Sequence, residues 1–245
     1  MQGVQRALSI LEAVADTQPA GVGDLARMLT LPKSTVQRHL WALSDAGWIR
    51  PVGEEYTRWV LTSRALLVGQ RGSREGRLRE IALEPMRALR DVTSETITLQ
   101  VPASELDMVQ IERVDSQMAV RTYAALGQVT PMPVTSGGLA YLAALDDQAV
   151  ERALERPLPQ LTARTVTDAR AIRERIATVR QRGYAVNIGQ NRLGVCAVGA
   201  AIRGLDRQPV AGLGISIPES RFDERRLPWW GEQLLATVKV IESHL

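Results

Sequence analysis

Val22-Gly23-Asp24-Leu25-Ala26-Arg27-Met28-Leu29-Thr30-Leu31-Pro32-Lys33-Ser34-Thr35-Val36-Gln37-Arg38-His39-Leu40-Trp41-Ala42-Leu43 decides the fold at the start of this chain. Leu25, Ala26 and Leu29 recur at the spacing of one helical face. Leu31-Pro32 then stops that helix, because proline has no N–H to donate and biases its predecessor away from the α region. A second helix is predicted from about Lys33, with Ser34 or Thr35 placed to cap it. Val36, Leu40 and Leu43 point inward on this helix, and His39, three residues after Val36, reads as a half-buried packing residue. Lys33, Ser34, Thr35, Gln37, Arg38 and Trp41 are left outside. That outer set has the chemistry of a DNA recognition helix: lysine and short hydroxyls suit phosphates, while Gln and Arg suit base edges.

The neighbouring segments extend the pattern. Gly47 ends the helix and Trp48-Ile49-Arg50-Pro51 begins a strand. Val52-Gly53-Glu54-Glu55-Tyr56 reads as a polar turn, and Thr57-Arg58-Trp59-Val60-Leu61 as the returning strand. A helix-turn-helix followed at once by a β-hairpin is a winged helix. Upstream, Val4, Leu8, Leu11 and Ala15 form an apolar stripe, so residues 2–16 are expected to supply the supporting first helix. A DNA-binding winged helix-turn-helix is therefore expected over residues 1–62.

Composition permits a second domain, since 245 residues suit one large or two modest domains. Global charge does not point to nucleic acid. The formal net charge is +3, and residues 1–64 carry 7 basic against 6 acidic side chains. DNA affinity must come from local placement of Lys33, Arg38, Arg58 and Arg6. The single cysteine, Cys196, rules out an internal disulfide. The N-terminus opens into an amphipathic helix without a signal-peptide pattern, and no apolar run approaches ~18 residues. A cytoplasmic protein with no membrane partner is expected.

Downstream, Thr62 to Gly69 reads as a short helix, and residues 63–76 as a linker helix and hinge, with Gln70 to Gly76 as the hinge proper. A helix begins around Leu78, is interrupted at Pro85 and resumes with Met86, Leu89 and Val92. The helical stretch from Thr62 to about Val92 is expected to connect the domains and carry dimer contacts. The period then changes to two. Strands are predicted at Thr96–Val101, Met108–Val114, Met118–Tyr123 and Gln128–Met132, then helices at Gly137–Leu145, Asp147–Leu154 and Asp168–Gly183. Further strands follow at Tyr184–Ile188, Ala197–Ile202 and Val210–Ile217, with a last helix at Arg221–Leu245. Strand blocks joined by short turns and flanked by helices argue an α+β fold. It would hold a mostly antiparallel sheet over residues 77–245.

Catalytic chemistry has few carriers here. The only histidines are His39 and His244, so residues 77–243 hold no imidazole for a base, a triad or a metal. Cys196 has no histidine partner and reads as core or pocket lining. Asp146-Asp147 is a helix-start pair. No cofactor, metal or catalytic residue is expected. Two other readings remain: an enzyme with an appended DNA-binding domain using carboxylates alone, and a DNA-bound architectural protein without a ligand.

Several segments taken in order resemble the IclR family of bacterial transcriptional regulators. They are Val4-Gln5-Arg6-Ala7-Leu8-Ser9-Ile10-Leu11 and Leu31-Pro32-Lys33-Ser34-Thr35-Val36-Gln37-Arg38 near the N-terminus. Further on they are Gly127 through Pro131 leading to Thr135-Ser136-Gly137-Gly138, then Leu161-Thr162-Ala163-Arg164-Thr165-Val166-Thr167-Asp168, and Val179-Arg180-Gln181-Arg182-Gly183-Tyr184-Ala185-Val186. The resemblance implies a GAF-like effector domain for a small organic acid. It also implies a homodimer, or a dimer of dimers, on a pseudo-palindromic operator controlling a catabolic pathway, as repressor or activator. Carried over, the effector-binding wall is Met132, Thr135, Ser136, Gly137 and Gly138, facing Asn187, Val195, Cys196, Ala197, Gly214 and Ser216. Departures accompany it: Asn187 stands where the family commonly has an acidic residue, its cysteine commonly falls one place later at Ala197, Gly214 replaces a usual serine, and Pro133 a usual histidine. A less acidic, less polar pocket follows, suited to an aromatic acid. Its carboxylate is expected on the N–H groups of Ser136 to Gly138, and Arg121 is a weaker partner because a strand arginine more often faces solvent.

Overall fold

The computed structural model describes residues 2–53, 56–70 and 74–245. The chain divides into two compact units, Met1–Gly76 and Arg77–Leu245.

In the first unit, α1 (Gln2–Thr17), α2 (Val22–Met28) and α3 (Lys33–Asp45) precede the hairpin of β1 (Ile49–Val52) and β2 (Arg58–Leu61), and α4 (Arg64–Gln70) follows. Leu25, Val36, Leu40, Ile49 and Trp59 are buried together with Ile10, Ala13 and Val14 of α1. The stripe expected on α1 is corrected by this core. Val4 and Leu8 are exposed, because the packed face runs through Ile10, Ala13 and Val14, with Ala7 and Leu11 at its edge. The start of α3 is a second correction: Pro32 is the N-cap and no side chain caps the helix, so neither Ser34 nor Thr35 does. Proline suits this place, where a missing N–H costs nothing. Between α2 and α3 the chain turns through Thr30 at φ 52°, and the Leu31 N–H bonds the Ala26 carbonyl at 3.0 Å. Gly47 takes φ 77° to leave α3. Ala20 pairs with Trp59 beside the hairpin, so the wing has a third strand-like edge. Of the predicted wing turn, Glu54 and Glu55 lie outside the described residues, as do residues 71–73 of the predicted hinge. Gln70 closes α4, and Arg74 opens the next helix.

Helix α5 (Arg74–Thr93) begins in the last residues of the first unit and lies mostly in the second, which continues with β3 (Thr96–Pro102), β4 (Asp107–Val114) and β5 (Val129–Pro131). After a 3-10 turn at Met132–Val134 come α6 (Ser136–Ala144), α7 (Asp147–Leu154) and α8 (Ala169–Arg182). The chain ends through β6 (Ala185–Ile188), β7 (Val195–Arg203), β8 (Pro209–Pro218) and α9 (Leu227–Glu242). The sheet order is β5-β4-β3-β8-β7-β6, every pairing antiparallel. One face carries Ile97, Leu99, Val198, Ala200, Leu213 and Ile215, packed with Leu78 and Met86 of α5 and Trp230 and Leu234 of α9. Over the other face lie α6, α7 and α8, joined through Leu139, Leu142, Val150, Ile172 and Ile176.

Three further expectations are corrected. Pro85 does not interrupt α5, because Leu78, Ala82, Met86 and Leu89 bury one continuous face, and tertiary packing outweighs the lost hydrogen bond. Residues 118–123 form no strand; they belong to an irregular connection between β4 and β5. The last helix starts at Leu227, where Pro228 fits its first turn, while residues 219–226 hold two 3-10 turns. Among the described residues no helix is long and apolar enough to cross a membrane, and no group of three or more His, Cys, Asp or Glu could hold a metal.

Candidate functional site

The first unit presents one continuous polar surface built on α3. Val36, Leu40 and Leu43 anchor the helix in the core, so helical period leaves Lys33, Ser34, Gln37 and Arg38 exposed and Thr35 partly so. The Lys33 ammonium and Arg38 guanidinium have no protein partner among the described residues. Trp41 has a structural task as well, since its ring stands edge-on to buried Trp59 of β2 with centroids 5.1 Å apart. Arg58 is already engaged, donating to Asp24 at 3.3 Å, and Asp24 also holds Arg27 at 2.5 Å. Arg6 is exposed on α1. Arg50 was missed by the sequence reading. In the hairpin register Ile49 faces Leu61 and Pro51 faces Trp59 on the inner side, which puts Arg50 and Arg58 together on the outer side. The alternation around buried Ile49 carried that signal.

In the second unit a small cavity, about 80 Å³, lies on the helix-covered face of the sheet. The sheet contributes Thr98, Gln100, Gln110, Asn187, Val195, Ala197 and Ser216; the α6 start gives Thr135 and Ser136; two connections add Ala124, Asn191 and Arg192. Register explains the set. On β3 the residues Ile97, Leu99 and Val101 turn to the core with α5 and α9, so Thr98 and Gln100 turn to the cavity. On β7, Cys196 is fully buried on the side opposite Val195 and Ala197. A bulge opposite Leu99/Gln100 pairs Gln100 with Gln110 but Leu99 with Glu112. It therefore sends Gln110 to the cavity and Glu112 the other way, where Arg79 of α5 meets it at 2.6 Å.

Hydrogen bonds set the wall. Thr135 caps α6 by accepting from the Gly138 N–H at 3.0 Å, and its hydroxyl donates to Gln100 Oε1 at 3.2 Å. The Gln100 amide N–H2 and the Ser136 hydroxyl, both on buried residues, have no protein partner among the described residues. Asn187 donates to the Val134 carbonyl and accepts from the Gln190 N–H at 3.0 Å, so it braces the wall from behind. Arg175 braces it further, donating to Pro133 O at 3.2 Å, Val186 O at 3.3 Å and Gln190 Oε1 at 2.9 Å. Burial, with Arg182 nearby, lowers the Arg175 guanidinium to about 10. Among the described residues no acidic side chain lines the cavity, and Arg192 is the one charged group that does.

Two connections cover it. In residues 115–128, Thr122 donates to Ser216 O at 3.2 Å, Thr96 donates to Thr122 O at 3.3 Å, and Arg113 stacks 4.0 Å over the Tyr123 ring. In residues 189–194, Arg192 Nη1 donates to the Tyr123 carbonyl at 3.1 Å and joins the two covers.

Of the effector residues expected from the sequence, Thr135, Ser136, Asn187, Val195, Ala197 and Ser216 line this cavity. Met132, Gly137, Gly138, Cys196 and Gly214 do not. Met132 is buried with Met108 and Tyr141. Cys196 is excluded by strand alternation. The glycines sit where space is tight: a Cβ on Gly138 would fall 2.5 Å from Met132 O, one on Gly137 would fall 3.1 Å from Gln100 Oε1, and one on Gly214 would fall 2.9 Å from Thr98 Oγ1. Arg121 is exposed and lines nothing here. The lining holds no acidic side chain among the described residues, and the polar faces of β3 and β4 supply it with amides and a hydroxyl that the sequence reading omitted. Thr98 and Gln100 were findable as the polar phase of an otherwise apolar strand; Gln110 was not, because the bulge cannot be read from the pattern.

Residues 74–243 match the family model described as bacterial transcriptional regulator IclR C-terminal, and residues 3–53 match the IclR helix-turn-helix domain. The transcriptional repressor IclR of Escherichia coli is 29% identical over 98% of this chain and 89% of its own length. The HTH-type transcriptional regulator Rv1719 of Mycobacterium tuberculosis is 30% identical over 99% and 92%. Among solved structures, an IclR homolog from Microbacterium hydrocarbonoxydans complexed with 4-hydroxybenzoate superposes with a TM-score of 0.86 at 26% identity, covering 99% of this chain and 98% of that one.

Proposed function

The chain belongs to the IclR family of bacterial transcriptional regulators, and from this premise we propose that it is a regulator whose DNA affinity answers to a small organic acid. It is a DNA-binding transcriptional regulator rather than an enzyme. In the proposed interface Lys33, Ser34 and Thr35 meet phosphates, Gln37 and Arg38 read bases, and Arg50 and Arg58 carry the wing to the backbone, with Arg6 adding charge from α1. Two copies on a two-fold operator give the surface that one winged helix lacks. A catabolic operon is the proposed target, and the Salmonella typhimurium relative named acetate operon repressor supports that class. A cytoplasmic location goes with this reading.

The observation that carries the effector is the cavity lining: neutral hydrogen-bonding groups, one arginine and no carboxylate. Such a wall favours an anion with further polar substituents. A hydroxylated aromatic acid fits that description, and the 4-hydroxybenzoate bound to the Microbacterium homolog supports it. At about 80 Å³ the cavity is well below the ~150 Å³ of a cavity that holds benzene, so a ring-sized ligand requires the covering connections to move. The test is direct. DNA selected from random duplexes by the purified protein serves as probe in fluorescence anisotropy, titrated with benzoates and short keto acids. An acid that changes the DNA affinity supports the reading; DNA binding indifferent to every acid, with none raising the melting temperature, refutes it and favours the ligand-free architectural alternative.

A further inference from the structure

We propose that Arg192 is the residue that takes the effector's carboxylate, giving up the Tyr123 carbonyl to do so. The inference rests on the effector reading above and assigns the charged end of the ligand to a side chain in place of a helix start.

Among the described residues Arg192 is the one charged group in the cavity wall. A guanidinium has five N–H donors in a planar fork, yet only Nη1 is engaged, with the neutral carbonyl of Tyr123 at 3.1 Å. The other donors have no protein partner among the described residues. A carboxylate matches that fork with two parallel bonds, each roughly twice as strong as a bond to a neutral acceptor. The α6 start, by contrast, shows the cavity its Ser136 side chain, while its Gly138 and Gly137 N–H groups are taken up or crowded. Its Gly138 N–H is held by Thr135 Oγ1. Ser136 and Gly137 press against the sheet so closely that a Cβ on Gly199 would lie 2.3 Å from Ser136 C and 2.4 Å from Gly137 N.

Two neutral groups elsewhere in the wall are also prepared. Gln100, only 8% exposed, has its carbonyl oxygen engaged by Thr135 and its amide N–H2 unpartnered, and Ser136 offers an unpartnered hydroxyl beside it. These groups suit a hydroxyl or carbonyl oxygen on the ligand. The ligand class is thus a carboxylate bearing a second oxygen function. Entry of such a molecule breaks the bond that joins residues 115–128 to residues 189–194, and the carboxylate replaces it with a stronger one. A neutral amide breaks the same bond and returns only a bond to another neutral carbonyl, so the gate itself selects for charge.

Calorimetric titration of the full chain tests this with benzoate, 4-hydroxybenzoate and pyruvate, each against its primary amide, in wild type, Arg192→Gln and Arg192→Lys. A charge-assisted pair is worth ~1.5–3 kcal/mol, so wild type should bind its best acid about tenfold or more tighter than the amide. Arg192→Gln should lose that preference through weaker binding of the acid, and Arg192→Lys should retain part of it. Arg192 is exposed, so the variants should melt as wild type does. An undiminished acid preference in Arg192→Gln overturns the assignment and leaves the effector reading standing. Failure of wild type to bind any acid or amide overturns the effector reading, and this assignment with it.

Discussion

Lys33 and Arg38 sit five residues apart on one helix, both exposed and without protein partners among the described residues, and the proposed interface gives them different work. Lys33 is the first residue of α3, and in the proposed interface it meets a phosphate. Arg38 lies more than one turn further along, where a bidentate contact to guanine contributes ~1–3 kcal/mol of discrimination. Lys33→Ala should therefore weaken binding to specific and scrambled duplexes alike, and Arg38→Ala should narrow the gap between them; equal losses on both duplexes for both variants would reverse the assignment. Cys196 makes a second residue-level case. Burial pushes its thiol up to about 11, which leaves ~100-fold less thiolate at neutral pH than an ordinary cysteine has. Iodoacetamide should label it only after denaturation, and rapid labelling of the native protein would place the thiol in the cavity after all. The sequence made the outer face of α3 legible because helical period alone sorts it. It could not sort Val195, Cys196 and Ala197 once three consecutive residues of one strand had been assigned to one wall.

At the scale of elements, the fit of α6 on the sheet depends on bare backbone. Gly199 of β7 pairs with Gly214 of β8, and Gly212 lies further along β8 opposite Ala201. A Cβ at Gly199 or Gly212 would come within 2.4 Å of α6 backbone atoms. Gly199→Ala should destabilise the second unit by roughly 1–3 kcal/mol or more, the cost of overpacking that cannot relax without moving the helix. Gly69 in α4 is the control, with nothing within 4 Å of its Cβ position. There the same substitution should stabilise by up to ~1 kcal/mol, because alanine is the better helix former. Melting curves of the two variants that shift in the same direction would deny the packing role. Helices and central strands were readable because each has one long apolar phase. The connection at residues 115–128 was misread because Met118, Val120 and Tyr123 mimic an alternating strand while being held by Ser116, Thr122 and Arg113 as a cover. Pro85 misled for the opposite reason, a local rule yielding to a buried helix face.

The whole molecule joins a DNA-reading unit of almost no net charge to a sensor unit. The first 64 residues carry 7 basic against 6 acidic side chains, so long-range attraction to DNA is weak and affinity depends on a few placed cations. With Arg6, Lys33, Arg50 and Arg58 each neutralising one phosphate, one copy releases about four counterions and a two-fold pair about eight. The logarithm of the binding constant should then fall against the logarithm of salt with a slope of about −7 for the pair and about −3.5 for a single copy. Anisotropy titrations between 50 and 200 mM salt, a range in which such slopes are resolved, measure it. Replacing Arg50 by Ala in a homodimer should reduce the slope by about two, because each substitution is counted twice. A wild-type slope near the single-copy value, with Arg50→Ala lowering it by one or not at all, would show one winged helix acting alone and remove the two-fold operator from the proposal.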